Sequence, residues 1–329
     1  MRLLSEKVIE DILPLELAID SADEAFRVYS RKGATIPLRS EIHRENPRIT
    51  ALVMPGLIGN EILGVKLVGS VTSEAQGADK HTTCMMMIWD ARDLRVRGVL
   101  SADALNEHRT AAGFACATRA LARPDAQVHL VIGAGKLAFT AALYVSQVRS
   151  IGRVLLASRS PERVAGLAAR LRADPRLQAE VVTDLDPAAA VEQADIITTV
   201  TTSEHPVFKG SRVRPGTHIN LGGAARRNER EMDDDAARRG AFWVDSNEAC
   251  RQRAGDVVLP LESGALREEQ LRGEIGEFLL GRIPGRTDGD EITVFKSLGI
   301  ASQDLILGAR LLDLAEARDL GTVFDEKGR

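Results

Sequence analysis

Val128-His-Leu-Val-Ile-Gly-Ala-Gly-Lys-Leu-Ala138 is the stretch that decides the fold. Val128, Val131 and Ile132 give it the β-branched, apolar character of a buried strand, which runs into Gly133-x-Gly135-x-x-Ala138 and then an apolar helical run, Phe139 to Val148. In a strand, turn and helix of this kind, Gly133 permits the tight turn and Gly135 lets the backbone approach a pyrophosphate. Small Ala138 lets helix and strand pack closely, while the helix N-terminus faces the anion. The ligand implied is a dinucleotide.

A second apolar run, Val154 to Ala157, follows at the spacing of a βαβ unit and ends in Ser158-Arg159-Ser160, where a ribose-reading residue belongs. An NAD-selective site places Asp or Glu here to bind the 2′-hydroxyl. Two hydroxyls and a guanidinium instead suit a 2′-phosphate, so the reading favours NADP(H) over NAD(H). Gly133, Ala134, Gly135, Lys136, Leu137, Ser158, Arg159, Ser160, Thr199, Val200, Thr201 and Gly222 form the candidate cofactor-binding set. Lys136 either meets the pyrophosphate or is a solvated charge on the first helical turn.

Outward from this stretch, 329 residues suffice for two domains, and 44% apolar with 27% charged residues is ordinary for a globular chain. A net charge of −4 gives no electrostatic reason to expect nucleic acid or an anionic membrane. Cys84, Cys116 and Cys250 have neither metal-like nor paired spacing, so neither a metal site nor a disulfide framework is expected. No run reaches membrane-spanning length and the N-terminus lacks a signal-peptide pattern, so a cytoplasmic protein is expected.

Residues 1 to about 30 read as helical, with Leu15 to Tyr29 ending near Lys32-Gly33. Pro37 to Ile42, Ile49 to Met54, Ile62 to Val68 and His81 to Trp89 then read as strands without intervening helices, which predicts a largely antiparallel sheet in a domain of its own. Leu105 to Leu121 reads as a helix joining this domain to the glycine-rich strand. Helices at Pro161 to Arg172 and Pro187 to Glu192 alternate with strands at Ala179 to Thr183 and Ile196 to Val200. Further strands at Thr217 to Leu221, Phe242 to Asp245 and Ile292 to Ser297 suit a six-stranded doubly wound sheet, and Ser302 to Ala317 is a helix after the last of them.

Gly64-Val-Lys66-Leu-Val, His108-Arg109-Thr-Ala-Ala112, Pro215-Gly-Thr-His-Ile-Asn220 and Glu291-Ile-Thr-Val-Phe-Lys-Ser-Leu-Gly-Ile-Ala-Ser-Gln-Asp304 together resemble the ornithine cyclodeaminase and mu-crystallin family over nearly the whole chain. The resemblance implies an α/β architecture: a doubly wound Rossmann nucleotide-binding domain, residues 119–305, beside a discontinuous α+β substrate-binding and dimerisation domain, residues 1–118 with 306–329. It also implies a homodimer. Arg39, Lys66 and Arg109 fall on positions resembling the family's carboxylate-binding and catalytic set, and Arg matches carboxylate geometry well. In that reading Arg39 and Arg109 clamp a substrate carboxylate, and Lys66, on an otherwise apolar strand, is the proton-transfer candidate. His81 stands where the resemblance implies a threonine of the substrate pocket. It is either a donor or proton exchanger there, or a structural histidine on a strand.

The family's cyclodeaminases carry an aspartate where this chain has Ala225, and a methyl group moves no proton. Glu231 lies too far on to replace it, and Asp233-Asp234-Asp235 reads as a solvated helix start. The expectation is therefore an NAD(P)H-dependent oxidoreductase acting on the CH–NH or C=N group of a small amino or imino carboxylic acid, a ketimine or imine reductase or amino-acid dehydrogenase. The alternatives are an ornithine or lysine cyclodeaminase that retains its NAD, and an NADPH-binding crystallin-like protein without significant turnover.

Overall fold

A computed structural model describes residues 1–45, 48–72, 80–183 and 185–325. The chain divides into two compact units, Met1–Arg109 with Ile300–Arg329, and Thr110–Gly299. These boundaries lie at 109/110 and 299/300 rather than 118/119 and 305/306. The first cut falls inside one helix, and the C-terminal helix stays whole with the first unit.

In the first unit, β1 (Arg2–Leu4), α1 (Glu6–Ile12) and α2 (Leu15–Ser30) precede β2 (Ala34–Thr35), β3 (Ser40–Arg44), β4 (Arg48–Ile58), β5 (Ile62–Thr72), β6 (Lys80–Asp90) and β7 (Val96–Ser101). The helix α3 (Asp103–Leu121) follows β7. The sheet runs β16-β1-β7-β6-β5-β4-β2, with β3 also on β4 and β16 at Thr322–Val323. It is antiparallel except where β1 lies parallel to β7. Of the predicted strand over 37–42 only residues 40–42 lie in a strand, β3, while β2 ends before Pro37, which has no N–H to give a ladder. The N-terminal β1 and the strand β7 have no counterpart in the sequence reading.

The C-terminal helix α11 (Ala301–Ala317) packs with α2 on one face of this sheet. Gly64 permits the close approach, since a Cβ there would collide with Leu305. On the opposite face Ile42, Leu67 and Met85 are large apolar side chains left exposed.

The second unit alternates strand and helix as its 3.6- and 2-residue periodicities require. In order it comprises β8 (Val128–Ile132), α4 (Lys136–Val148), β9 (Arg153–Ala157), α5 (Pro161–Ala173), β10 (Glu180–Val182), α6 (Pro187–Gln193), β11 (Ile196–Thr199), β12 (His218–Leu221), α7 (Asp234–Arg239) and β13 (Gly240–Val244). Then come α8 (Asn247–Arg253), α9 (Gly255–Ser263), β14 (Leu271–Glu274), α10 (Ile275–Leu279) and β15 (Ile292–Lys296). All eight strands are parallel, in the order β10-β9-β8-β11-β12-β15-β13-β14. Among the described residues the sheet has eight strands rather than six: all seven runs read as strands are present, and the eighth is β14, whose Leu271-Arg-Gly-Glu carries no β-branched signature and is held by pairing with β13 alone. Chain order reverses between β8 and β11, and in such sheets ligands bind at the carboxyl ends of the strands beside that reversal.

Beneath that edge a buried polar row crosses the central strands. His129 Nε2 lies 2.9 Å from Thr198 Oγ1, Asn220 Nδ2 donates to Thr118 Oγ1 at 3.0 Å, and His218 bonds Asn220 Oδ1 at 3.1 Å and Thr293 Oγ1 at 2.9 Å. Burial pushes both imidazoles down to about 3 from 6.5. The unfolded chain therefore binds these two protons first, so the stability they contribute is complete above pH 6.5 and is lost as pH falls toward 3. We expect a loss of about 2 kcal/mol per histidine between pH 7 and pH 5. Urea unfolding of the wild type and of His129→Asn checks this, since the variant should lose about 2 kcal/mol less over that interval. Equal losses would mean that His129 is not held neutral.

Candidate active site

In the second unit the turns after β8, β9 and β11 surround a cavity of about 570 Å³, lined by Gly133, Ala134, Gly135, Ser158, Arg159, Ser160, Arg163 and Val200 to Ser203 among others. Gly133 has φ +126°, and a Cβ on it would meet the Val200 carbonyl at 2.7 Å, so only glycine fits the turn. Gly135 is the N-cap of α4 with no side-chain cap, and a Cβ there would meet nothing within 4 Å. The first N–H groups of a 13-residue helix thus carry no side-chain cap and stand beside clear space, as a pyrophosphate requires. Ser160 caps α5 by accepting from Arg163 N at 3.4 Å, and Ser158 Oγ accepts from Ser160 N. No carboxylate lines the cavity at the end of β9, and among the described residues neither Arg159 nor Arg163 is in an ion pair. These residues fit a dinucleotide.

The far wall is anchored from below. Glu231, fully buried, accepts from Thr201 N and Oγ1 at 2.7 Å each, from Gly223 N at 2.8 Å and from Ala224 N at 3.2 Å. Asp256 Oδ1 accepts from the backbone N–H groups of Glu231 (2.7 Å) and Met232 (3.0 Å), and Oδ2 accepts from Lys296 Nζ at 2.9 Å. Lys296 also donates to the Ala224 carbonyl at 2.6 Å. Burial raises the Glu231 carboxyl, with Lys296 opposing; burial pushes Lys296 down, but Asp256 and Glu231 outweigh it and hold it above the ordinary lysine value. Ala225 stands on this loop with its N–H on Glu229 at 3.1 Å.

In the first unit, β5 and the helices α3 and α11 bring together a buried cation cluster. Lys66 Nζ donates to Asp304 Oδ1 at 2.8 Å and to Asn106 Oδ1 at 3.1 Å. Arg109 Nε donates to the same Asp304 oxygen at 3.1 Å, and its Nη2 to Asn106 Oδ1 at 2.6 Å. Lys66 is 1% exposed, Arg109 8% and Asp304 0%, so two cations face one carboxylate away from water. Burial pushes the Lys66 ammonium below the usual lysine range, Asp304 opposes this and Arg109 adds to it. On the sheet Lys66 pairs with Met54 and Met86, both buried. Arg39, half-buried, immediately precedes Ser40, whose pairing with Val53 is one step from the Met54–Lys66 pair.

Of the candidate residues, Lys66 and Arg109 are thus in one hydrogen-bonded group, and Arg39 stands at the neighbouring sheet position. His81 pairs through its backbone with Val71, but its side chain lies outside the described residues. Gly133, Ala134, Gly135, Ser158, Arg159, Ser160, Val200 and Thr201 line the cavity. Lys136 and Leu137 instead open α4, Thr199 is buried in β11, and Gly222 packs against Phe114. Asp233 is the N-cap of α7, accepting from Ala236 N. Asn106, Asp304, Arg163, Asp256 and Lys296 carry roles that the sequence reading did not assign. Lys296 and Asp304 lie within the Phe-Lys-Ser-x-Gly-x-Ala-x-x-Asp segment quoted for the resemblance, which was the available signal. Among the described residues no group of three or more His, Cys, Asp or Glu is placed to hold a metal, and no helix is long and apolar enough to cross a membrane.

A sequence model of the ornithine cyclodeaminase/mu-crystallin family matches residues 1–317. A Delta(1)-pyrroline-2-carboxylate reductase of Bacillus cereus is 31% identical over 327 residues, 99% of this chain and 100% of its own. The ketimine reductase mu-crystallin of Mus musculus is 30% identical over 315 residues, 94% of this chain and 96% of its own. Among solved structures, the Thermococcus litoralis Delta(1)-pyrroline-2-carboxylate reductase in complex with NADH and L-proline aligns at a TM-score of 0.92 and 30% identity, over 98% of this chain and 100% of that one.

Proposed function

This chain belongs to the ornithine cyclodeaminase/mu-crystallin family, and from that premise we propose that it is an NAD(P)H-dependent reductase of cyclic imino carboxylic acids such as pyrroline-2-carboxylate or piperideine-2-carboxylate. The observation that carries this reading is the buried excess of positive charge around Lys66 and Arg109, with Asp304 as their shared counter-ion. An uncompensated buried cation is costly, and a substrate carboxylate supplies the missing negative charge. Arg109, with Arg39, holds that carboxylate, and Lys66 gives a proton to the imine nitrogen. Reduced nicotinamide, when bound, supplies the hydride that completes the reduction of C=N to CH–NH.

The cyclodeaminase alternative needs further proton handling. Ala225 provides none, and the nearest carboxylates on its loop are engaged: Glu229 by Ala225 N and Arg226, Glu231 by four donors on three residues. The cofactor we favour is NADP(H), because Arg159 and Arg163 border the cavity where an NAD-selective site carries an acid. We also propose a cytoplasmic homodimer that covers the exposed Ile42, Leu67 and Met85.

The test follows absorbance of the reduced nicotinamide with purified protein and cyclic imine carboxylates. Stoichiometric loss of NADPH is expected. Flat absorbance with ammonia released from ornithine or lysine in the presence of NAD would sink the reductase reading. In the same assay Arg159→Ala should lower kcat/KM for NADPH by about tenfold or more while leaving NADH within about twofold, the difference expected of a charge-assisted bond. An equal loss with both cofactors would remove the argument for a 2′-phosphate.

A further inference from the structure

We propose that Asp304 is the positioning residue of this reaction: its Oδ1 keeps the Lys66 ammonium charged and aimed beside Arg109 until a substrate carboxylate arrives, so that Lys66 and not solvent is the proton donor. The proposal rests on the reductase reading. Its first support is the arrangement of charge around Lys66. From α3 that side chain faces the Arg109 cation and the neutral Asn106 amide oxygen. From β6 it faces Cys84, whose thiol is pushed up to about 11 by burial, with the Asp103 carboxylate adding to the rise. From α11 it faces Asp304. Among the described residues Asp304 is the one carboxylate within hydrogen-bond reach of Lys66 Nζ. Burial and Arg109 both favour the neutral amine, which could not donate, and Asp304 is the chief group opposing them.

The second support is the way Asp304 spends its oxygens. Oδ1 accepts from both Lys66 and Arg109, whereas Oδ2 is buried with no hydrogen-bond partner among the described residues. An orphaned buried carboxylate oxygen is destabilising, so a carboxylate present only for stability would satisfy both. This one is turned to serve two cations through a single atom. Asp304 reaches Lys66 across 238 residues of chain because α11 lies tightly on the sheet over Gly64 at Leu305, the residue next to Asp304.

The experiment uses the full chain labelled with lysine ¹³Cε. With only eight lysines in the sequence, the Lys66 resonance is identified by its absence in Lys66→Met. In Asp304→Asn, which keeps shape and an acceptor but loses the charge, the Lys66 midpoint should fall by about two pH units, the usual effect of removing an adjacent opposite charge. The alkaline limb of kcat/KM should move by the same amount, while NADPH affinity measured by fluorescence stays unchanged. A Lys66 midpoint that does not move overturns the proposal, as does a midpoint that moves while the kinetic limb stays. If Asp304→Asn does not fold, the wild-type titration still decides, since a Lys66 already neutral at pH 7 would overturn it. A wild type that reduces no imine defeats the reductase reading instead, and the NMR midpoint reports independently on whether Asp304 holds Lys66 charged.

Discussion

Lys66→Met should lower kcat for imine reduction by about 10²–10⁴-fold, the range expected for a positioned general acid, with NADPH affinity unchanged. The substitution is informative because it leaves the remaining charges balanced. Arg109 Nε still donates to Asp304 Oδ1 at 3.1 Å, so no buried ion is stranded, and methionine fills most of the volume between Met54 and Met86. Replacing a buried ion by an apolar residue of similar length is then close to neutral for folding. The check is single-turnover oxidation of NADPH alongside urea unfolding. A kcat within about threefold of wild type would exclude Lys66 as the donor, since a general acid contributes far more than that. A KM effect without a kcat effect would instead assign Lys66 to carboxylate binding alone.

Asp256→Ala should act on the other unit, and through stability first. It removes the carboxylate that pairs with Lys296 at 2.9 Å and that accepts the N–H groups of Glu231 and Met232. Breaking a buried pair by removing one partner costs about 3–5 kcal/mol, because the other charge is left buried. The effect should reach the cofactor as well. Glu231 is the anchor of Thr201, a residue of the cavity wall, and its own backbone is held by Asp256. The variant is therefore expected to bind NADPH more weakly at temperatures where it remains folded. Denaturant unfolding and a fluorescence titration of NADPH measure the two effects. A stability loss below about 1 kcal/mol would mean that Lys296 finds another partner or gives up its proton.

The nucleotide-binding half was legible because its signal is local. Strand, glycine turn and helix start lie within eleven consecutive residues, and the φ of +126° at Gly133 is a property of the turn itself. The helices α5 and α6 begin at Pro161 and Pro187, each behind a side-chain cap, so their starts could be placed from neighbouring residues alone. Where pairing rather than composition makes the strand, the reading fell short. β1 and β16 are three and two residues long and exist through ladders that join the two ends of the chain. β14 depends on β13 in the same way.

The functional residues divide along the same line. Residue type and motif spacing picked out the glycine loop, and the resemblance to the family picked out Lys66 and Arg109 as chemistry-bearing and Ala225 as the missing acid. Tertiary structure decided what surrounds them. It buried Lys66 completely, joined it to Asn106 and Asp304, and committed Glu231, Asp256 and Lys296 to holding the cavity wall. A lysine's proton affinity depends on desolvation and on the charges and hydrogen-bond acceptors within a few ångströms, and the two acceptors of Lys66 here, Asn106 and Asp304, stand 40 and 238 positions away along the chain. Such distances are set by how α3 and α11 pack on the sheet, which no local stretch of sequence encodes.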